Sequence, residues 1–253
     1  MKAEFALACL MIGQSTPAAK PEDSEVWLPE PRVVTPSSLI AMPPPSDAVI
    51  LFDGTDLSRW AATADGGPAR WRVADGALTV AKGTGNIQTR QSFGSYQLHL
   101  EWRIPAGITG QGQARGNSGV FLASTGAGDL GYELQILDSF RNRTYSNGQA
   151  GSIYKQSAPL ANPSRPPGVW QSYDIVWTAP AFAIDGTVSR PGAVTVLMNG
   201  VLVQDHALLK GPTLYVGKPA YAAHGRAPIK LQDHGDPSAP VSFRNIWLRE
   251  LKD

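Results

Sequence analysis

The sequence contains a single cysteine, Cys9, among its 253 residues. No intrachain disulfide can form, so a hydrophobic core must hold the fold, and cysteine pairing gives no information on the redox compartment. Charge of one sign is not in excess either, with 22 Lys and Arg against 21 Asp and Glu. Proteins that bind nucleic acid or anionic membrane surfaces usually carry a basic excess, so the composition argues against both partners.

Long hydrophobic runs are missing as well. No stretch reaches the roughly 20 apolar residues that a membrane-spanning helix requires, and no window sustains a helical hydrophobic period. By contrast, the 26 Gly and 21 Pro are plentiful and spread along the chain. This distribution favours many short strands joined by tight turns over a helical bundle.

Residues 1–19 have the features of a weak secretory signal. They contain the basic Lys2, a short apolar run over 5–12, and the small residues Ala18 and Ala19. We therefore expect export, with a periplasmic location. A disordered tail, a misassigned start codon and a lipoprotein acylated at Cys9 are the alternatives.

Residues 20–47 form a Pro-rich segment, called the arm below, which is predicted to be a linker or an extended chain lying over the domain. Trp27 and Leu28 are candidate anchors for it. Residues 48–253 are predicted to form a single domain.

Strand and turn patterns within this domain predict an all-β fold. Residues 96–104 alternate strictly between apolar and polar side chains, as a half-buried strand does. Asp75-Gly76 lies between two apolar runs and predicts a type I′ hairpin turn, and Asn199-Gly200 is a second turn signal. The expected fold is an antiparallel sandwich or jelly roll, with Trp60, Trp71 and Trp102 in its core.

The segment YELQILDS, residues 132–139, combines strand-like residues with polar ones. Glu133 and Gln135 share one face of a regular strand, and Asp138 lies on the other. A β-bulge between Gln135 and Asp138 would bring all three side chains together, and bulges are common beside active sites. Glu133 is the leading candidate for proton transfer, because a buried carboxylate is costly unless it is paired or functional.

Other candidates lie outside this segment. His234 in QDHGD lies between charged and turn residues, and its ordinary pKa suits proton transfer at neutral pH. Gln232 would share its face of a strand. The remaining substrate-binding candidates each have a plain structural alternative as a solvated strand residue, an ion-pair partner or a turn residue: Lys155, Tyr154, Arg103 and Asn117.

Six segments in order give the chain a family resemblance. They are LFDGTDLSRW, GNSGVFL, YELQILDS, GSIYKQ, the pair PPGVWQSYDI and VLMNGVLV, and IKLQDHG with VSFRNIWLREL. Together they resemble the 3-keto-disaccharide hydrolase domain over about residues 48–251. The resemblance implies a concanavalin A-like jelly roll of two curved antiparallel sheets, with sugar bound on the concave face.

The resemblance also implies cleavage of 3-keto-glycosides or 3-keto-disaccharides, by hydrolysis or by β-elimination across C1 and C2, after an upstream sugar 3-dehydrogenase. Glu133 and His234 would then transfer protons, in an order that the sequence leaves open. A divalent cation at Asp138 or His234 is also left open, and no other cofactor is indicated. The alternatives are a non-catalytic, lectin-like carbohydrate-binding module and a conventional glycoside hydrolase.

Overall fold

A computed structural model describes residues 18–38 and 42–252. Apart from Ala18 and Ala19, the predicted signal segment lies outside these residues. The described part contains 3-10 helices at Pro21–Ser24, Gly112–Ala114 and Ser146–Gly148, and no α-helix. None of its helices is long and apolar enough to span a membrane.

Short strands make up the rest of the regular structure. In chain order they are β1 (Arg32–Val33), β2 (Val49–Phe52), β3 (Trp60–Ala62), β4 (Arg72–Ala74), β5 (Ala77–Thr79), β6 (Ile87–Thr89), β7 (Tyr96–Arg103), β8 (Ser118–Ser124), β9 (Gly131–Ile136), β10 (Ala161–Asn162), β11 (Gln171–Thr178), β12 (Ala181–Phe182), β13 (Val188–Arg190), β14 (Ala193–Met198), β15 (Val201–Leu208), β16 (Lys230–Leu231) and β17 (Ser242–Glu250).

Two antiparallel sheets form the body of the domain. The eight-stranded sheet has the order β15-β14-β11-β7-β17-β5-β4, with β2 also paired to β17. The five-stranded sheet has the order β3-β6-β16-β8-β9. Two small pairs, β1 with β10 and β12 with β13, complete the structure. The predicted concanavalin A-like jelly roll is confirmed.

The hydrophobic core lies between the two sheets. Strand β7 contributes the apolar residues of its alternating pattern, Tyr96, Leu98, Leu100 and Trp102. Strand β9 contributes Tyr132, Leu134 and Ile136. Trp60, Trp71 and Trp102 are all buried, as predicted. The alternation therefore determines which side chains of each strand point away from the core.

The predicted hairpin turns are present. Asp75 and Gly76 have φ of 52° and 69°, the positive values that a type I′ turn needs at both central positions. They join β4 to β5, with Ala74 opposite Ala77. Asn199 and Gly200 join β14 to β15 in the same way, with φ of 53° and 79°.

The first part of the arm lies against the domain through backbone hydrogen bonds. The amide of Ser146 donates to the Val26 carbonyl at 2.6 Å. The side chain of Asn147 accepts from the Val26 amide at 2.9 Å and donates to the Ser24 carbonyl at 2.9 Å. The Trp27 ring meets Tyr145 edge-on, with 6.0 Å between centroids. This part of the arm is therefore held at defined positions.

Candidate active site

The face of the five-stranded sheet that points away from the core carries two rows of polar side chains. Because residues directly opposite each other in a sheet share a face, the pairing places Glu133 beside Phe121 and Lys230 in one row. Gln135 lies opposite Gly119 in the next row. The Gln232 amide donates to the Gly119 carbonyl at 3.1 Å, which extends this row.

A cavity of about 310 Å³ opens over these rows. Its wall combines residues of β9, the residue that precedes β8, the segment after β16, and loops. The lining residues are Asn117, Asp129, Glu133, Gln135, Tyr154, Thr213, Leu214, Tyr215, Gln232 and His234. Its size falls at the lower end of the range for small-molecule sites, about 300–1,000 Å³.

Glu133 is the buried ionisable group of this cavity. Burial, with a smaller contribution from the charge of Asp129, raises the pKa of its carboxyl to about 8, while Lys230 acts in the opposite direction. A side chain at position 119 would collide with the Glu133 carboxyl, because a Cβ there would lie 2.5 Å from Oε1. The carboxyl is therefore largely protonated at neutral pH and fits only because residue 119 is glycine.

Lys230 is fully buried beside Glu133. Its ammonium donates to the carbonyls of Gly126, Gly128 and Leu130 at 3.0, 2.7 and 2.9 Å. Burial lowers the pKa of Lys230 to about 8, against the opposing charges of Asp129 and Glu133. Because these carbonyls belong to the β8–β9 loop, Lys230 fixes that loop and with it Asp129.

His234 is oriented by a buried carboxylate. Its Nδ1 lies 3.0 Å from Asp236 Oδ2, and Lys82 Nζ lies 3.1 Å from the same oxygen. Burial opposes ionisation of Asp236, but hydrogen bonds from Ser238, His234 and Lys82 outweigh it and lower its pKa. The Asp236 amide also lies 3.2 Å from Nδ1, and Nε2 lies 3.4 Å from Asn117 Nδ2. In the tautomer that carries its proton on Nδ1, Nε2 is the acceptor.

Side-chain amides surround these two groups. Gln135 Nε2 donates to Asn117 Oδ1 at 2.9 Å, and Asn117 Nδ2 donates to the Gln113 carbonyl at 2.9 Å. The amide oxygens of Gln135 and Gln232 are buried and have no hydrogen-bond partner among the described residues. Unpaired buried acceptors require an explanation, and at a cavity wall they can accept hydrogen bonds from ligand hydroxyl groups.

The structure brings most of the predicted site residues together in this one cavity. Both predicted proton-transfer residues line it, as do four predicted substrate-binding residues: Gln135, Asn117, Gln232 and Tyr154.

The predicted three-residue cluster on YELQILDS does not form. Strand β9 ends at Ile136, and its pairing with β8 is regular from Ile136 to Glu133. The register shift lies towards Gly131. Asp138 instead forms an ion pair with Arg115, with 2.7 Å between Oδ2 and Nε, and accepts from the Phe140 amide at 3.1 Å. It therefore stabilises the strand end rather than lining the cavity.

Two predicted substrate-binding cations also lie elsewhere. Lys155 Nζ donates to the carbonyls of Pro21 and Tyr215, at 2.7 and 3.1 Å, and so joins the arm to the domain. Arg103 is on β7 of the other sheet, where its guanidinium lies 4.5 Å from the centroid of the Trp170 ring. Neither lines the cavity over β9.

Several residues of the site were not predicted from the sequence. Lys230 precedes Gln232 and His234 at alternating positions in IKLQDHG, so its place on their face was a readable signal. Asp236 follows His234 by two residues. Asp129, Thr213 and Tyr215 come from loops. No periodic pattern in the sequence predicts where these loops lie over the sheet.

No cluster of three or more His, Cys, Asp or Glu side chains suited to a metal ion occurs within residues 18–38 and 42–252.

Comparison with known proteins places the chain in a family. Residues 47–249 match the 3-keto-alpha-glucoside-1,2-lyase-like domain, so the chain belongs to that family. The resemblance noted in the sequence is thereby confirmed, and the protein is a carbohydrate-active enzyme. A comparison with curated proteins returned no match.

Solved structures of similar proteins agree with this assignment. A provisionally described glycosyl hydrolase from Parabacteroides distasonis is 51% identical and covers 91% of this chain and 96% of its own, with a TM-score of 0.79. A second from the same organism is 21% identical, covers 81% of this chain and 99% of its own, and has a TM-score of 0.56. The second similarity concerns the fold alone.

Proposed function

We propose that the enzyme cleaves the glycosidic bond of 3-keto-glycosides by β-elimination across C1 and C2. The C3 ketone acidifies the hydrogen on C2. A base removes this proton, the C1–C2 double bond forms, and the C1–O bond breaks as an acid protonates the departing oxygen. Later addition of water would give net hydrolysis. The proposal rests chiefly on the presence of Glu133 and His234 in one cavity.

Glu133 is assigned as the acid. A carboxyl with a pKa of about 8 holds its proton at neutral pH, and it can release that proton to an oxygen that gains negative charge. Its buried position keeps the proton from being lost to bulk water before the bond breaks.

His234 is assigned as the base. Its Nδ1 faces Asp236 and its Nε2 faces Asn117 at the cavity wall. In the tautomer protonated on Nδ1, Nε2 can accept the substrate proton. The paired carboxylate also stabilises the imidazolium that forms when Nε2 accepts the C2 proton. This carboxylate–imidazole arrangement favours His234 over Glu133 as the proton acceptor.

The amide side chains are assigned to sugar oxygens. Gln232 lines the cavity, and its side-chain N–H groups can donate to the C3 oxygen as it gains enolate charge. The unpaired oxygens of Gln135 and Gln232 accept from sugar hydroxyls. Tyr154 lines the same cavity and offers a further hydroxyl.

A matched pair of disaccharides tests the proposal. The enzyme is incubated separately with a native disaccharide and its 3-keto counterpart, and the products are identified by mass spectrometry and NMR. We expect cleavage of the 3-keto compound alone, with an unsaturated 2-hydroxy-3-keto sugar as the first product. Cleavage of the native disaccharide would identify a conventional glycoside hydrolase, and binding without turnover would identify a lectin-like module.

Gly119→Ala is expected to reduce kcat/KM for the 3-keto substrate at least tenfold. The added Cβ would meet Glu133 Oε1 at 2.5 Å and Cγ at 3.0 Å, so the carboxyl must move. A misplacement of this size is costly in catalysis, by up to about 10²-fold. Gly225→Ala is the matched control because its Cβ would meet nothing within 4 Å. Equal effects of the two substitutions would contradict this role of Gly119.

Asp129→Asn is expected to move the alkaline limb of the kcat/KM profile to lower pH. The charge of Asp129 helps to raise the pKa of Glu133, so its removal lowers that pKa and the acid loses its proton earlier. Asp205→Asn, on the exposed side of β15, should leave the profile unchanged. A shift to higher pH would argue against Glu133 as the acid.

The proposed substrate also requires a source. Its C3 ketone is produced by oxidation of a sugar hydroxyl, so a sugar 3-dehydrogenase would have to act first. Export to the periplasm remains a prediction from residues 1–19.

A further inference from the structure

A second cavity of about 370 Å³ adjoins the first. The two share Tyr154 and Leu214 as lining residues. The remaining wall of the second cavity comes from the arm, from the chain after Tyr154, and from the segment after β15. These residues are Asp23, Ser24, Lys155, Gln156, Lys210, Gly217, Lys218 and Pro219.

Tyr154 stands at the boundary between the cavities. Its amide donates to the Glu133 carbonyl at 3.1 Å, and its hydroxyl lies 2.8 Å from that of Tyr145. The first cavity is near the lower size limit for a ligand site and suits one sugar ring. If a substrate is cleaved beside Glu133, the space for its departing part is past Tyr154, in the second cavity.

The charge of the second cavity is predominantly positive. Lys210 and Lys218 are exposed, and neither ammonium has a hydrogen bond or ion pair with another described residue. Lys155 is already held by the Pro21 and Tyr215 carbonyls, with Glu25 at 4.0 Å. Asp23 is the carboxylate among the lining residues. Two ammonium groups are thus available to a ligand.

We propose that the second cavity is the leaving-group subsite and that Lys210 and Lys218 give it a preference for leaving groups that carry a carboxylate or another anionic group. The inference rests on the proposed function, since it assumes cleavage at Glu133. The arm forms one wall of this subsite, because Asp23 and Ser24 line it.

Benzyl and 4-carboxybenzyl 3-keto-glucosides test the preference, because they differ in charge far from the bond that breaks. We expect KM for the carboxybenzyl compound to be about fivefold lower, since each exposed charge pair contributes only a small stabilisation. Lys210→Gln with Lys218→Gln should remove the difference between the two compounds. Lys252→Gln is the control. High salt should also reduce the preference.

Calorimetric binding to Glu133→Gln protein gives a second readout that does not need turnover. Stronger binding of the carboxybenzyl compound, lost in the double lysine variant, supports the subsite. Equal binding of the two compounds, or a preference that survives the lysine substitutions, would overturn it. Failure to cleave either compound would instead contradict the proposed function, while the binding data still decide on the subsite.

Discussion

Glu133→Gln is expected to lower kcat for a 3-keto-glucoside by about 10²–10⁴-fold, the usual contribution of a general acid or base. The substitution keeps the size and most of the hydrogen-bonding capacity of the side chain but removes the proton that the departing oxygen needs. Circular dichroism should show an unchanged fold, because Tyr132 and Leu134 on either side still pack in the core. Glu30→Gln, at an exposed ion pair with Arg143, is the matched control.

The same variant should have a distinctive stability profile. Folding raises the pKa of Glu133 from 4.5 to about 8. Between these pH values the folded chain keeps a proton that the unfolded chain releases, so this group makes the protein less stable as pH rises through the window. A glutamine side chain does not ionise, so the variant lacks this loss of stability with rising pH. The Tm of the variant relative to the parent should therefore increase from pH 5 to pH 9.

Two results would contradict this account of Glu133. A kcat near that of the parent would remove it from the proton transfers. A Tm difference independent of pH would show that its carboxyl ionises as readily in the folded chain as in the unfolded one.

His234→Asn is expected to reduce kcat/KM by about 10²-fold or more, because a neutral amide cannot accept the C2 proton. Exchange of the C2 hydrogen with deuterium oxide, followed by NMR, reports proton removal directly. It should be lost in this variant.

A second histidine provides the comparison for His234. His206 is exposed on β15 and has φ of 45°, a conformation that asparagine tolerates well. His206→Asn should therefore retain parental activity and exchange. If His234→Asn retains deuterium exchange but loses bond cleavage, the assigned roles of His234 and Glu133 must be reversed.

Periodicity in the sequence predicted the sheets and the floor of the site. The alternation over residues 96–104 identified the core face of β7, and the alternation around Glu133 and Gln135 identified the cavity face of β9. Both depend on a local rule, the opposite orientation of successive strand residues. That rule holds wherever one face of the strand packs in a core.

Pairing across long distances in the chain was not predictable in this way. Asp138 is paired with Arg115, and Lys155 with carbonyls as distant as Pro21. A single sequence does not show which loop supplies a partner for a charged side chain. Asp138 and Lys155 were therefore predicted to bind the substrate, whereas each pairs with another part of the chain.

The hydrogen bonds of the arm have a consequence for how this enzyme could change during evolution. The proposed acid and base lie on or next to the five-stranded sheet, within residues 47–249 that match the family. Asp23 and Ser24, in contrast, precede that range and are held at the second cavity by hydrogen bonds between the arm and Asn147, Ser146 and Lys155. In the proposed leaving-group subsite, substitutions before residue 47 would alter the choice of leaving group without changing the proposed catalytic groups, so reactivity and selectivity could diverge independently.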